Sequence, residues 1–320
     1  MNNQTEISNA LSVCVIIPTK NRPHDLQLAT RSLFAQTLTA GSLVIIDQSA
    51  DDASKLLVES ELANALKRSG PGWNLQYIRD SSISGAAAAR NRAMETADGD
   101  IWLFLDDDVV LETDFVEKLL ATYRDHREAT GVSGIITNYP RPPLAWRLWS
   151  GLFMRGPFHD ERQPIYWNAE RLRNSPPLRV RGFTGASMSF RAEAIRGERL
   201  DEDLSAVWYV DDVDFCFRLG ADAVLLIAPR VRLQHLHSPI GRLDDHWLRR
   251  HSHSNLFLYR RHWNRGLRNQ LVYRWLWLGY WAAAMAASCR RFSLEPWHAL
   301  RRGAAEANQA IPHPQRSRAT

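Results

Sequence analysis

Short apolar runs, separated by polar and turn-forming residues, dominate the first 120 residues of the chain. Val13–Cys14–Val15–Ile16–Ile17, Leu43–Val44–Ile45–Ile46, Leu75–Gln76–Tyr77–Ile78 and Ile101–Trp102–Leu103–Phe104–Leu105 are too short for typical helices and read as strands. Those without a polar residue are expected to be buried on both faces. Between them, Asp25–Thr37 has helical spacing, with Leu26, Ala29, Leu33 and Phe34 on one face, and Ala53–Ser69 is a second amphipathic helix. Gly85–Thr96 is Ala-rich and also reads as helix. Strands alternating with helices predict βαβ units, a mostly parallel sheet and right-handed crossovers. From Gly131 to Pro177 the pattern dissolves into Pro, Arg and Trp, which predicts a long connection covering a cleft. Regularity returns with strand-like Met188–Ser189–Phe190, the run Trp208–Asp214 opening a short helix through Leu219, and the buried strand Ala223–Ile227.

The expected organisation is a tail at 1–10, an α/β domain at 11–240 with halves at 11–120 and 121–240, and a helical extension at 241–320. A chain of 320 residues with 45% hydrophobic content supports one large core of this kind. Its three cysteines, Cys14, Cys216 and Cys289, are far apart and form no CxxC pair, which argues against a disulfide framework or zinc site and for a reducing cytosol. The polar, acidic start at Met1–Ala10 is no secretory signal.

The net charge of +5 is less informative than its placement: beyond Lys118 every basic residue other than histidine is arginine. The pairs Arg249–Arg250, Arg260–Arg261, Arg290–Arg291 and Arg301–Arg302 are interleaved with tryptophans, not gathered on a recognition helix, and no nucleic-acid partner is expected. Arginine paired with tryptophan suits an anionic membrane surface better. The uncharged segment 275–289 contains Trp275, Trp277 and Trp281 and is flanked by Arg274, Arg290 and Arg291. As a helix it spans roughly 22 Å, short of the ~30 Å hydrocarbon core. It reads as an interfacial segment in preference to a full crossing, with a buried helix of the domain as the third reading. The expectation is peripheral association with the inner face of the cytoplasmic membrane.

The candidate chemistry sits where the strands end. Asp106, Asp107 and Asp108 follow the strand Ile101–Leu105, and three adjacent carboxylates repel one another unless a cation joins them. Hard oxygen donors suit Mg²⁺ or Mn²⁺, commonly shared with a substrate phosphate. Thr19 and Asn21 follow the first strand and Asp47 the second, so the carboxyl ends of the sheet converge on one polar rim. Asp47 is placed to accept from a ribose hydroxyl or base N–H, or simply to cap its loop. Arg90, on the helix Gly85–Thr96 after its small residues Gly85–Ala89, is placed either to reach a diphosphate or to lie on the surface. No Walker or GxGxxG pattern occurs.

Val15–Arg22 (VIIPTKNR), Ile46–Ser49 (IDQS) and Ala89–Asn91 (ARN) resemble the nucleotide-binding half of a family 2 glycosyltransferase of GT-A fold. The acidic triplet is similar to that family's DxD metal motif, Phe183–Ser187 to its acceptor-side glycine loop, and Asp211–Asp214 to its catalytic acidic motif. The resemblance covers about residues 12–240, with the motifs in the family's order. It implies a GT-A, Rossmann-like α/β domain with the Arg- and Trp-rich helical extension appended. It implies an inverting transferase that moves one sugar from a UDP-, dTDP- or GDP-sugar to a glycan or lipid-linked acceptor. The nucleotide site would comprise Pro18, Thr19, Asn21, Arg22, Asp47, Gly85, Arg90, Asp106 and Asp107. Asp106, Asp108 and either His235 or His237, with His235 preferred, would hold Mn²⁺ or Mg²⁺. Thr184, Gly185, Ala186, Ser187 and Trp208 would meet the acceptor, and Asp212, with Asp211 as competitor, would be the general base.

Two departures matter: Gln48 stands where the family has a second acidic residue, and Asp211–Asp212 replaces the usual Glu–Asp pair. No QxxRW motif follows, which argues for single-sugar transfer. A sugar-1-phosphate nucleotidyltransferase would need a Gly-rich basic loop where Pro18–Arg22 has no glycine. A non-catalytic nucleotide- or glycan-binding protein of the same fold would be expected to lack metal or base carboxylates, and all are present here.

Overall fold

The computed structural model describes residues 11–38, 41–69, 72–157, 169–205, 210–237, 247–263 and 266–309. The expected tail at 1–10 and the acceptor candidate Trp208 lie outside the described residues. The strands are β1 Val13–Thr19, β2 Gly41–Asp47, β3 Asn74–Arg79, β4 Ile101–Leu105, β5 Val109–Leu111, β6 Gly131–Ile136, β7 Leu178–Val180, β8 Ser187–Arg191 and β9 Leu225–His235. The helices are α1 Pro23–Phe34, α2 Ala53–Ser69, α3 Ala86–Met94, α4 Phe115–Asp125, α5 Leu144–Phe153, α6 Ala169–Leu172, α7 Ala192–Ile195, α8 Glu202–Ser205, α9 Asp211–Arg218, α10 Trp247–Leu258, α11 Leu267–Arg291 and α12 Glu295–Gln309.

The chain divides into two compact units, residues 1–141 with 164–242, and residues 142–163 with 243–320. Residues 142–163 thus group with the C-terminal helices, although they lie inside the expected 121–240 half.

The first unit holds one nine-stranded sheet of order β3-β2-β1-β4-β8-β6-β9-β5, with β7 beside β9. Strands β1 to β4 are mutually parallel and β6 is parallel to β9, while β5, β7 and β8 run against their neighbours. This is the expected mostly parallel α/β architecture, with antiparallel strands inserted in its second half. All seven residues of β1 are buried, as required of a central strand covered on both faces. Alternation along the strands then splits the core in two. Val13, Val15, Ile17, Leu43 and Ile45 pack with Leu26 and Leu33 of α1 and with α4, whereas Cys14, Ile16, Val44, Ile46, Trp102 and Phe104 pack with α3 and α9. Pro23 opens α1, where a missing N–H costs nothing.

The segment from Gly131 to Pro177 departs from the sequence reading: Gly131–Ile136 is a fully buried strand, and α5 and α6 are helices, not parts of an irregular connection. The glycines that hide β6 have a packing cause. A Cβ on Gly131 would lie 2.8 Å from Phe190 Cδ1 and Ser189 O, and one on Gly134 would lie 2.9 Å from Val231 O.

The second unit is helical. Leu248, Leu276, Tyr280, Ala284, Ala299 and Leu300 form its core with Met154. Trp149 Nε1 donates to Gly279 O at 2.7 Å, Asn255 Nδ2 to Tyr280 Oη at 2.6 Å, and Ser252 Oγ to Leu300 O at 3.1 Å. Among the described residues no helix is long and apolar enough to cross a membrane. Trp275 and Trp277 are half-buried, and their N–H groups donate to Leu152 O and Tyr273 Oη, so Trp281 alone of the three tryptophans is largely exposed.

Candidate active site

The end of β4 leads directly into Asp106–Asp108, and β5 then turns back beside the end of β9, with Val109 paired to His235. Leu236 N–H donates to Asp108 O at 2.8 Å, which fixes the chain after β9 against the acidic turn. Asn138 accepts from His235 N–H and donates to His235 O, both at 2.9 Å, and so holds the histidine backbone from the other side. The result places His235 Nε2 2.9 Å from Asp108 Oδ1, and one donor atom each of Asp106, Asp108 and His235 lies within 4.8 Å of the others. His237, the competing ligand, has a left-handed backbone (φ 54°), and its ring centre lies 4.1 Å from that of His235 with the planes tilted by 40°.

Two observations test whether these side chains fit a divalent ion. The pair His235 Nε2 and Asp108 Oδ1, 2.9 Å apart, matches adjacent corners of an octahedron whose ligands sit about 2.1 Å from the centre. His235 Nδ1 is buried without a hydrogen-bond partner among the described residues, so the imidazole is not otherwise engaged at that atom. The set fits.

Asp107 does something different. Its oxygens accept from Thr19 Oγ1 at 2.7 Å and Arg22 Nη1 at 2.9 Å, tying the acidic turn to the loop after β1. Burial pushes its carboxyl up to about 6, against the pull of Arg22 and Thr19. In the same loop Asn21 takes φ 56°, a conformation asparagine tolerates, and donates its N–H to Ser49 Oγ at 2.7 Å. Pro18 is buried within β1.

Asp47 is fully buried at the end of β2, with Tyr77 Oη donating to one oxygen at 2.5 Å and Ser49 N–H to the other at 2.8 Å. Tyr77 was not among the sequence candidates, and nothing local in its strand marks it. Gln48 Oε1 accepts from Gly85 N–H at 2.9 Å, so the amide that replaces the expected acid anchors the start of α3. Gly85 itself takes φ 96°, which only glycine adopts readily.

Arg90 is the electrostatic centre. It is 3% exposed, and its guanidinium reaches Asp106 Oδ1 at 2.8 Å, Asp211 Oδ2 at 3.2 Å and Gly185 O at 3.4 Å. Burial disfavours its charge, but Asp106, Asp211 and Asp212 outweigh that and raise its pKa. Arg90 is therefore engaged by carboxylates rather than presented on a surface. Neighbouring Asn91 bonds Leu200 N–H and O and Glu202, holding α3 to the segment before α8.

Asp211 and Asp212 open α9, where the helix dipole favours negative charge, and both are buried. Asp212 Oδ2 accepts from Gly185 N–H at 2.5 Å and its Oδ1 from Val213 N–H at 2.7 Å. Burial and then the charge of Asp211 push Asp212 upward, while Arg90 opposes the shift. Thr184 is half-buried, Ala186 is buried with its O accepting from Asp106 N–H at 3.3 Å, and Ser187 Oγ is buried without a partner among the described residues. The structure thus brings Arg90, Asp106, Asp108, His235, Gly185, Asp211 and Asp212 into one linked group. Asp107, Thr19 and Arg22 form a cluster beside it, and Asp47 forms another with Tyr77.

The family model for glycosyl transferase family 2 matches residues 14–196. The chain belongs to that family. A curated relative, an uncharacterized glycosyltransferase of Haemophilus influenzae, is 32% identical over 106 residues, which is 33% of this chain and 32% of that protein. The fold is similar to TarS of S. aureus, with TM-score 0.59 and 15% identity over 95% of this chain and 50% of that one. It is also similar to the mannosyltransferase PcManGT of Pyrobaculum calidifontis in complex with GDP-Man and Mn²⁺, with TM-score 0.57 and 18% identity over 94% of this chain and 81% of that one. The chain thus spans about a third of the curated relative and half of the full TarS chain.

Proposed function

We propose that this chain is an inverting, metal-dependent glycosyltransferase that moves a single sugar from a nucleotide-sugar to a glycan or lipid-linked acceptor. The observation that carries the reading is Arg90, buried between Asp106 on the metal-site side and Asp211 on the catalytic side. Such a bridge ties a donor-phosphate site to a base site.

Asp106, Asp108 and His235 would hold Mn²⁺ or Mg²⁺, and the imidazole nitrogen, a softer donor than the oxygens Mg²⁺ prefers, favours Mn²⁺. A divalent ion there would neutralise the diphosphate as it leaves. The remaining chemistry belongs to the chain. Asp212, oriented by two backbone N–H groups, takes the proton of the acceptor hydroxyl as its oxygen bonds to the anomeric carbon. The bond from that carbon to the diphosphate breaks with its electron pair leaving on phosphate oxygen. Buried Arg90 stabilises the developing charge and fixes Asp211. A single base and a single displacement invert the anomeric carbon.

Thr19, Asn21, Arg22 and Asp47 would line the nucleoside pocket. Relatives of this fold bound to UDP, UDP-GlcNAc and GDP-Man support a nucleotide-sugar donor and leave the base open. Attachment at the inner face of the cytoplasmic membrane belongs to the same reading and is supported by the arginine-rich second unit. A thermal-shift screen of UDP-, dTDP- and GDP-sugars with Mn²⁺ and with EDTA tests it. One donor should stabilise the fold by about 2.7 kcal/mol at a hundred times its Kd, with Mn²⁺ only. No response to any donor would count against the transferase reading.

A further inference from the structure

The surface of the second unit carries an apolar stripe. Leu267, Leu271, Leu278, Trp281 and Met285 are exposed along one face of α11, spaced by 4, 7, 3 and 4 residues, and Arg274 occupies the gap in that rhythm. Beside it lies a cleft of about 920 Å³, with Trp277, Leu278, Trp281, Leu294 and Trp297 among its lining and Arg274 and Arg301 also part of it. That volume is at the upper end of ligand sites. Phe292, between α11 and α12, is 98% exposed. A cleft lined by large apolar side chains beside an exposed apolar stripe is where a partner or ligand is expected.

Charge decides which partner. Helix α11 contains no acidic residue, and Arg274, Arg290, Arg291 and Arg301 have no carboxylate partner among the described residues. The acids of α12 are engaged, Glu295 with Arg302 and Glu306 with Arg249. A second copy of this face would bring more arginine against arginine. An anionic lipid brings what is missing, an apolar chain and a phosphate, and arginine binds phosphate bidentately. Tryptophan suits the zone where the two meet.

We propose that this cleft seats an anionic membrane phospholipid, its acyl chain against Trp277, Leu278, Trp281 and Trp297 and its phosphate on Arg274 and Arg301. The inference deepens the membrane part of the reading above and stands apart from sugar transfer.

The test is flotation of the full chain with phosphatidylglycerol-containing vesicles and with phosphatidylcholine vesicles, at low and high salt. Binding is expected with phosphatidylglycerol, weakened by salt. Leu278→Glu should abolish it, and the pair Arg274→Glu, Arg301→Glu should lower partitioning at least roughly thirtyfold. All three positions are exposed, so the variants should keep the parent's melting midpoint, which is measured alongside. On the unaltered chain, phosphatidylglycerol with brominated acyl chains should quench tryptophan fluorescence. Absent flotation, absent quenching or variants that float like the parent overturn the proposal. So does a dimer in sedimentation, broken by Leu278→Glu, from a chain that binds no vesicle. Donor stabilisation with Mn²⁺ should be the same in the parent and Leu278→Glu, which keeps failure of this proposal distinct from failure of the transferase reading.

Discussion

The backbone N–H of Gly185 donates to Asp212 Oδ2 at 2.5 Å, and the same glycine leaves room for Arg90 beside it. A Cβ at this position would lie 2.9 Å from Arg90 Nη2 and 3.5 Å from Asp212 Oδ2. Gly185→Ala should therefore shift the arginine and misplace the base. The expected outcome is a kcat lower by about tenfold or more with a smaller loss of donor affinity, measured by steady-state kinetics and calorimetry.

Asp212→Asn should preserve donor and metal affinity and lower kcat by about 10²-fold or more, the scale of a lost general base. Asp211→Asn should act more on acceptor KM. The pH profile adds a second readout. Because burial and Asp211 raise Asp212, ionising it takes a higher pH than for an ordinary carboxyl, so the acid limb of kcat/KM should lie above the usual carboxylate range. Near-normal turnover in Asp212→Asn with none in Asp211→Asn would move the base by one residue.

Removing Asp108 or His235 should uncouple nucleotide from metal. Asp108→Ala and His235→Ala are expected to bind the best nucleotide equally with Mn²⁺ and with EDTA, whereas the parent binds only with Mn²⁺. Equal binding in the parent under both conditions would refute the metal assignment.

Acid should loosen the helical unit first. Burial lowers His253, and His251 likewise, from 6.5 to about 4. As pH falls below 6.5 the unfolded chain takes up these protons and the folded one does not. Their contribution is thus complete above that pH and is lost progressively down to about 4. Melting followed by tryptophan fluorescence should move down by a few degrees between neutral pH and pH about 5, and His253→Gln should flatten that dependence. A pH-independent midpoint would remove the histidines from the account.

Strands β1, β2 and β4 were legible because each holds a dense apolar run; Ile101–Leu105 has the bounds read from its residues. Gly131–Ile136 was not, since two of its six residues are glycines demanded by neighbours 2.8 to 3.0 Å away, and those neighbours lie far along the chain. The site shows the same division. The acidic triplet announces itself locally. The placement of His235 against Asp108 depends on the β5–β9 register, and the Arg90–Asp211 pair joins residues 121 positions apart. Tyr77 on Asp47 is a contact of this kind too, as are the two hydrogen bonds by which Asn138 holds His235. Short-range pattern carries the first class of fact, and only three-dimensional register carries the second.

Arg90 makes bookkeeping by single substitutions unsafe. One positive charge answers to two carboxylates, so deleting any of the three leaves the other two out of balance. A thermodynamic cycle over Arg90, Asp106 and Asp211 should be strongly non-additive, with the triple replacement less harmful to folding than the loss of Arg90 alone.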